Sequence, residues 1–244
     1  MSQPPGPHSV DLTIARISEA DGRLLASGSA LTEDQLREPS LLPGWSRAHV
    51  LTHLARNADG LGNLLTWART GIETPQYESF EARDAEIEAG AGRPAADIIA
   101  DLSRSSQKFI GQARELPDEA WLAQVRGLRG PPHPGWYTLH RRLTEVEVHH
   151  VDLSAGYGPA DWPDWFVTDM LYEVISRLSV KPESPSAVLT DTASGRQFLL
   201  PPDATSDLTI SGPGHLLLAW LLGRDGGAGL SADPDGPLPD IPPY

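Results

Sequence analysis

The segment Glu145-Val146-Glu147-Val148-His149-His150-Val151-Asp152 gathers carboxylates and imidazoles at helical spacing. Glu145 and His149 are four residues apart and project from one helix face, and Asp152, three further on, adjoins it. The interleaved Val146 and Val148 argue against a purely solvated edge. A second histidine, His53, stands beside an apolar stripe between Val50 and Leu54, and Gly60, two turns later, leaves room for a neighbouring helix. Two neutral imidazoles and a carboxylate form a donor set suited to zinc, and three protein ligands leave the fourth position open, as catalytic sites do. A structural zinc site is usually closed by four ligands, often thiolates, and this chain has no cysteine.

Each residue taken alone also has an ordinary explanation. Glu145 and His149 could be a surface pair, and His53 a hydrogen-bonded core histidine. Asp152 reads either as an acceptor that orients a ligand histidine or as a local cap, since a carboxylate near a helix C-terminus opposes the macrodipole. Arg224, in Leu221-Leu222-Gly223-Arg224-Asp225-Gly226-Gly227, could offer a guanidinium to a carboxylate or simply end a helix. Arg83, in Glu81-Ala82-Arg83-Asp84, either faces a bundle mouth or forms a surface ion pair. His49, His133, His140 and His150 read as structural or exposed.

Helices must carry these groups, and the hydrophobic pattern supplies them. A first helix is expected over about Val10 to Ala26, with Leu12, Ala15, Leu24 and Leu25 among its apolar positions. The clearest helix follows Ser46, a good N-cap, and runs to Thr70, with Val50, Leu54, Leu61 and Leu65 in one stripe and Gly71 as its stop. A short helix over Phe80 to Glu88 precedes a long one that begins near Pro94 and ends before Pro117. A Gly- and Pro-rich loop, Arg126 to Gly135, leads to the helix of about Thr138 to Leu153 that holds the cluster. Four long helices so connected predict a bundle. Beyond Gly156-Tyr157-Gly158-Pro159 the pattern changes to a helix over about Pro163 to Ser179, a hairpin (Ala187 to Thr190 and Gln197 to Leu200), a strand at Asp207 to Ser211 and an apolar helix from Pro213 to Leu222. Asp233 to Tyr244 reads as an extended Pro-rich surface segment. The expected fold class is α+β in two domains: an all-α four-helix bundle over residues 1–158, then a small α+β domain over 159–244.

Composition narrows the partners. A formal net charge of −14 disfavours a surface for nucleic acid or an anionic membrane, which needs clustered Lys and Arg. The longest purely apolar run, Leu216 to Leu222, is too short to span a bilayer, and the polar start has no apolar signal core, so a cytoplasmic protein is expected. Without cysteine, disulfides, thiolate metal sites and a cysteine nucleophile are all excluded, and any thiol chemistry must use a thiol from outside.

The run Leu42-Pro43-Gly44-Trp45-Ser46-Arg47-Ala48-His49-Val50-Leu51-Thr52-His53-Leu54-Ala55-Arg56-Asn57 resembles the signature of the mycothiol-dependent maleylpyruvate isomerase family, which has a DinB-like metal-binding four-helix bundle at its N-terminus. Thr70-Gly71-Ile72-Glu73-Thr74-Pro75, Glu81-Ala82-Arg83, and Glu145 with His149-His150-Val151-Asp152-Leu153 agree with it, and the resemblance extends through Gly223-Arg224. It implies zinc held by His53, Glu145 and His149, mycothiol as the cofactor thiol with Arg83 on the cofactor side, and a substrate-side role for Arg224. The implied reaction is the isomerisation of maleylpyruvate to fumarylpyruvate, a step of aromatic degradation. Zinc lowers the pKa of a coordinated thiol; the thiolate adds to the electron-poor double bond, the new single bond rotates, and elimination returns the trans alkene and the free thiol. Arg224 would hold a substrate carboxylate and stabilise the enolate. A mycothiol S-transferase, or a non-catalytic metal- or ligand-binding regulator, would fit the same residues.

Overall fold

A computed structural model of the chain describes residues 7–201 and 205–243. The helix after Ser46 shows how local chemistry sets the boundaries. Ser46 Oγ accepts the His49 amide, and His49 Nδ1 accepts the Ser46 amide in return, so two otherwise unpaired donors are satisfied at the start of α3 (Arg47–Thr70). Gly71, at φ 69°, ends it in the left-handed region that a side chain would strain. Leu51, Leu54, Leu61 and Leu65 on this helix are fully buried, each worth about 1.5–3 kcal/mol relative to exposure.

Helix α3 packs on α5 (Ala95–Arg114) and α6 (Tyr137–Asp152), and α1 (Pro7–Ser29) packs on the same two, which closes a four-helix ring. Short α2 (Glu33–Arg37) and α4 (Phe80–Ala91) lie against α3. The α1 stripe differs from the sequence expectation. Leu12 and Ala15 are exposed, and the buried line is Val10, Ile14, Ile17, Asp21 and Leu24. A carboxylate in the middle of the stripe hides its periodicity. Asp21 is buried because Arg142 of α6 reaches it at 2.8 Å. The same guanidinium donates to Leu54 O at 2.8 Å, Asn57 Oδ1 at 3.0 Å and Ser106 Oγ at 2.9 Å, so one fully buried side chain ties α6 to α1, α3 and α5. The loop between α5 and α6 holds a two-residue antiparallel pair, β1 (Gln124–Val125) with β2 (His133–Pro134), that the Gly and Pro content had concealed.

The chain divides into two compact units, Met1–Tyr157 and Gly158–Tyr244. In the second, a four-stranded sheet has the order β4-β3-β5-β6. The hairpin β3 (Ala187–Asp191) and β4 (Gln197–Leu200) is antiparallel, β5 (Thr209–Gly212) runs parallel to β3, and β6 (Ser231–Asp233) is antiparallel to β5. Helices α7 (Asp164–Leu178) and α8 (Gly214–Leu221) pack on each other and on this sheet. The expected extended tail therefore begins as a sheet edge, since Ser231–Asp233 pairs with Thr209–Ser211. The fold class is α+β, a helical bundle followed by a small mixed α+β unit. No described helix is long and apolar enough to cross a membrane.

Candidate metal centre

Helices α3 and α6 cross so that His53 faces Glu145 and His149. One ligand atom from each of the three residues lies within 4.8 Å of the others. His53 Nε2 is 3.0 Å and His149 Nε2 3.3 Å from the same oxygen, Glu145 Oε2. The two imidazole rings meet edge to face at 4.8 Å, and the Trp45 ring packs 5.4 Å from that of His53. His53 is buried, while Glu145 and His149 are partly open.

The outer nitrogens are also held. His149 Nδ1 donates to Asp152 Oδ2 at 2.7 Å, and Asp152 is 1% exposed. This is the orienting contact, and it requires the helical spacing of three residues. At His53 the partner is a donor: Arg83 Nη2 lies 3.1 Å from Nδ1, so Nδ1 accepts and the ring proton sits on Nε2, facing Glu145. Arg83 Nη1 also pairs with Asp84 at 2.6 Å.

The two histidines titrate in opposite directions. Burial pushes His53 down to about 4, although Glu145 favours its charged form. Burial also opposes charge on His149, but Asp152 and Glu145 outweigh it and hold the ring up at about 9. Burial opposes the Glu145 carboxylate too; its hydrogen bonds from His149 and His53 prevail and keep it well below the usual range. At neutral pH a proton on His149 thus lies between two carboxylates. A divalent cation at the same point would meet two imidazole nitrogens and a carboxylate, with the Asp152 charge behind one ring, so the donor set fits zinc.

The loops above the centre complete a cleft of about 320 Å³ whose lining includes His53, Glu145, Arg83, Gln76, Tyr77 and Arg141. Gly60 explains one wall. A Cβ there would lie 2.8 Å from Gln76 O and 3.0 Å from Tyr77 Cζ, so the close neighbour is the loop of residues 73–79, where a packed helix was expected. Burial pushes the Tyr77 phenol up to about 12, which keeps it protonated. Gln76, Tyr77 and Arg129 carried no signal in spacing, because loops bring them to the cleft, and Gly60 in mid-helix was their one indirect sign; Arg141 lies on α6, four residues before Glu145, a spacing that puts both on one helix face.

Residues 17–154 match the family model of the mycothiol maleylpyruvate isomerase N-terminal domain. The chain belongs to that family. A crystal structure of the mycothiol-dependent maleylpyruvate isomerase is similar with a TM-score of 0.89 and 27% sequence identity, over 96% of this chain and 97% of that one. The structure of a histidine-to-alanine mutant of mycothiol-dependent maleylpyruvate isomerase gives 0.88 at the same identity and coverage. No curated protein matches.

The remaining sequence candidates have ordinary partners. His150 is buried, bonds Ser27 Oγ at 2.8 Å and stacks on Tyr157 at 3.8 Å. His49 caps α3 and reaches Glu88 at 3.1 Å. His133 and His140 both pack against Tyr137. Arg224 follows α8 in the second unit, where its Nη1 donates to Leu222 O at 2.8 Å.

Proposed function

We propose that this chain is a zinc- and mycothiol-dependent cis–trans isomerase that converts maleylpyruvate to fumarylpyruvate. The observation that carries the proposal is the convergence of His53, Glu145 and His149 beside an arginine-lined cleft in a chain of this family. His53, Glu145 and His149 would hold the metal, which when bound supplies the Lewis acidity that makes a coordinated thiol a thiolate at neutral pH.

The chain's own residues prepare the site. His53 is neutral throughout the physiological range, so its lone pair costs no acidic proton. Asp152 fixes the His149 ring by Nδ1 and leaves Nε2 facing Glu145. A metal held at His53 Nε2 would leave the ring proton to Nδ1, the atom that Arg83 contacts. Arg83 also lines the cleft, and we assign it to the cofactor thiol. Arg224 is assigned to a substrate carboxylate. The nucleophile itself must come from outside, because the chain has no cysteine.

The test is turnover of maleylpyruvate by zinc-loaded protein with and without mycothiol. Activity should saturate with the thiol, and total thiol should be equal before and after the reaction. Full activity after exhaustive thiol removal would refute the proposal, and stoichiometric loss of thiol would reassign the chain to thiol transfer.

A further inference from the structure

The metal centre uses only part of the cleft. Of the carboxylates lining it, Glu145 is engaged by the two imidazoles and Asp84 by Arg83. Two more guanidinium groups, Arg129 and Arg141, line the same cavity in a chain whose formal net charge is −14.

Arg141 is held with care. Gln76, 6% exposed, accepts from Arg141 Nη2 at 2.9 Å and from the Leu128 amide at 3.2 Å through one carboxamide oxygen. Arg141 Nη1 also donates to His133 Nε2 at 3.3 Å, and His133 Nδ1 donates to Pro134 O, so the ring acts as a neutral acceptor. Gly127 closes the arrangement: a Cβ there would lie 2.4 Å from Arg141 Nη1 and 2.8 Å from Gln76 Oε1. The guanidinium is thus oriented by a carboxamide oxygen and an imidazole nitrogen, which fix its geometry in the cleft wall. Arg129 comes from the same loop. Its guanidinium carbon lies 4.6 Å over the Phe80 ring, and among the described residues it forms no ion pair. An exposed arginine held over an aromatic face keeps its guanidinium accessible, suited to a planar carboxylate.

We propose that Arg129 and Arg141 form a carboxylate subsite, with Gln76 as its positioning residue, and that it takes the end of a dicarboxylic substrate remote from the metal centre. The choice of substrate rests on the isomerase proposal; the subsite itself is a claim about dicarboxylate binding. The two can fail separately. Pimelate, a saturated dicarboxylate with the seven carbons of maleylpyruvate, is the inert probe, with its monomethyl ester as control. Calorimetry on zinc-loaded protein should show pimelate binding tighter than the ester by on the order of tenfold, as expected for one charge-assisted contact. Arg129→Gln should abolish that preference. Gln76→Glu keeps the acceptor but neutralises Arg141, and should do the same without disturbing the fold. In turnover, both variants should raise KM for maleylpyruvate about tenfold, with kcat, zinc content and KM for the thiol little changed. Retention of the preference for pimelate in both variants, its absence in the wild type, or a rise confined to KM for the thiol would each overturn the subsite. Wild-type protein that prefers pimelate but does not isomerise maleylpyruvate would sink the isomerase proposal and leave the subsite standing.

Discussion

Replacing Asp152 by Asn removes a negative charge from behind His149 while preserving the size of the side chain. Two consequences follow, and they act in opposite directions on metal affinity. In the metal-free protein His149 stays protonated up to about pH 9. Its Nδ1 hydrogen is committed to Asp152, so the proton a metal must displace is the one on Nε2. At pH 7 that competition lowers apparent affinity by roughly a hundredfold, from the two-unit gap to about 9. Raising the pH removes the competitor, so wild-type affinity should climb about tenfold per pH unit from 7 and level off near 9.

The Asn side chain weakens the hydrogen bond that raises the His149 pKa, so the variant should level off at a lower pH. On its plateau the variant has lost the anchor of a ligand ring, a change that costs about 10–100-fold in affinity, or about 1.4–2.7 kcal/mol. The deficit should therefore be smallest near neutrality and grow toward pH 9. Zinc competition against a chromophoric chelator, from about pH 6.5 to 9.5, measures both curves. His149→Ala, which removes a ligand altogether, marks the floor, and circular dichroism checks that the helices persist. Coincident curves would show that Asp152 is only a helix-end residue. A constant offset, with no change in the pH of levelling, would show that it packs the helix but does not tune the ring.

Two further predictions concern the scaffold. Arg142→Met strands the buried Asp21 carboxylate and should cost about 3–5 kcal/mol in denaturant unfolding, whereas the double replacement with Asp21→Leu should recover most of it; additive losses would refute the coupling. Asp101 lies among Arg93, Arg56 and Arg104 at 2.6, 3.1 and 3.4 Å, and although burial opposes its charge, these arginines hold its pKa below the ordinary value. Its contribution is therefore complete above about pH 4 and lost as the pH falls through the depressed pKa; Asp101→Asn should cost about 1–2 kcal/mol at pH 7 and progressively less as the pH falls below about 4, and a Tm gap constant with pH would count against it.

What the sequence made legible was governed by the range of the interactions concerned. The ends of α3 could be read because Ser46, His49 and Gly71 act within a few residues of themselves. Glu145, His149 and Asp152 could be grouped because one helix presents them at spacings of four and three. The α1 stripe was misplaced because the partner that makes Asp21 a core residue lies 121 residues away on α6. Gln76 and Arg129 were passed over for the same reason: they reach Arg141 of α6 by way of two loops whose paths no periodicity encodes. The edge strand Ser231–Asp233 depends on β5 in the same way, since a three-residue strand has no pattern of its own.

Arg142 joins the scaffold to the centre. It sits three residues before Glu145 on α6, and its Nη1 bonds Leu54 O and Asn57 Oδ1, one and four residues after His53 on α3. The guanidinium is rigid and its acceptors lie on two successive positions of one helix face, so only one register of α6 against α3 satisfies both. A slip of one residue displaces the helix by about 1.5 Å, enough to break those bonds and to carry Glu145 out of reach of His53, now 3.0 Å away. An apolar pair at Asp21 and Arg142 could supply equal stability, because desolvation consumes much of what a buried ion pair gains. It could not supply the register, since methyl groups pack almost as well after a small slide. The stranded-charge cost of Arg142→Met and its effect on the metal centre are therefore separable: the double replacement with Asp21→Leu should restore stability while zinc affinity stays reduced.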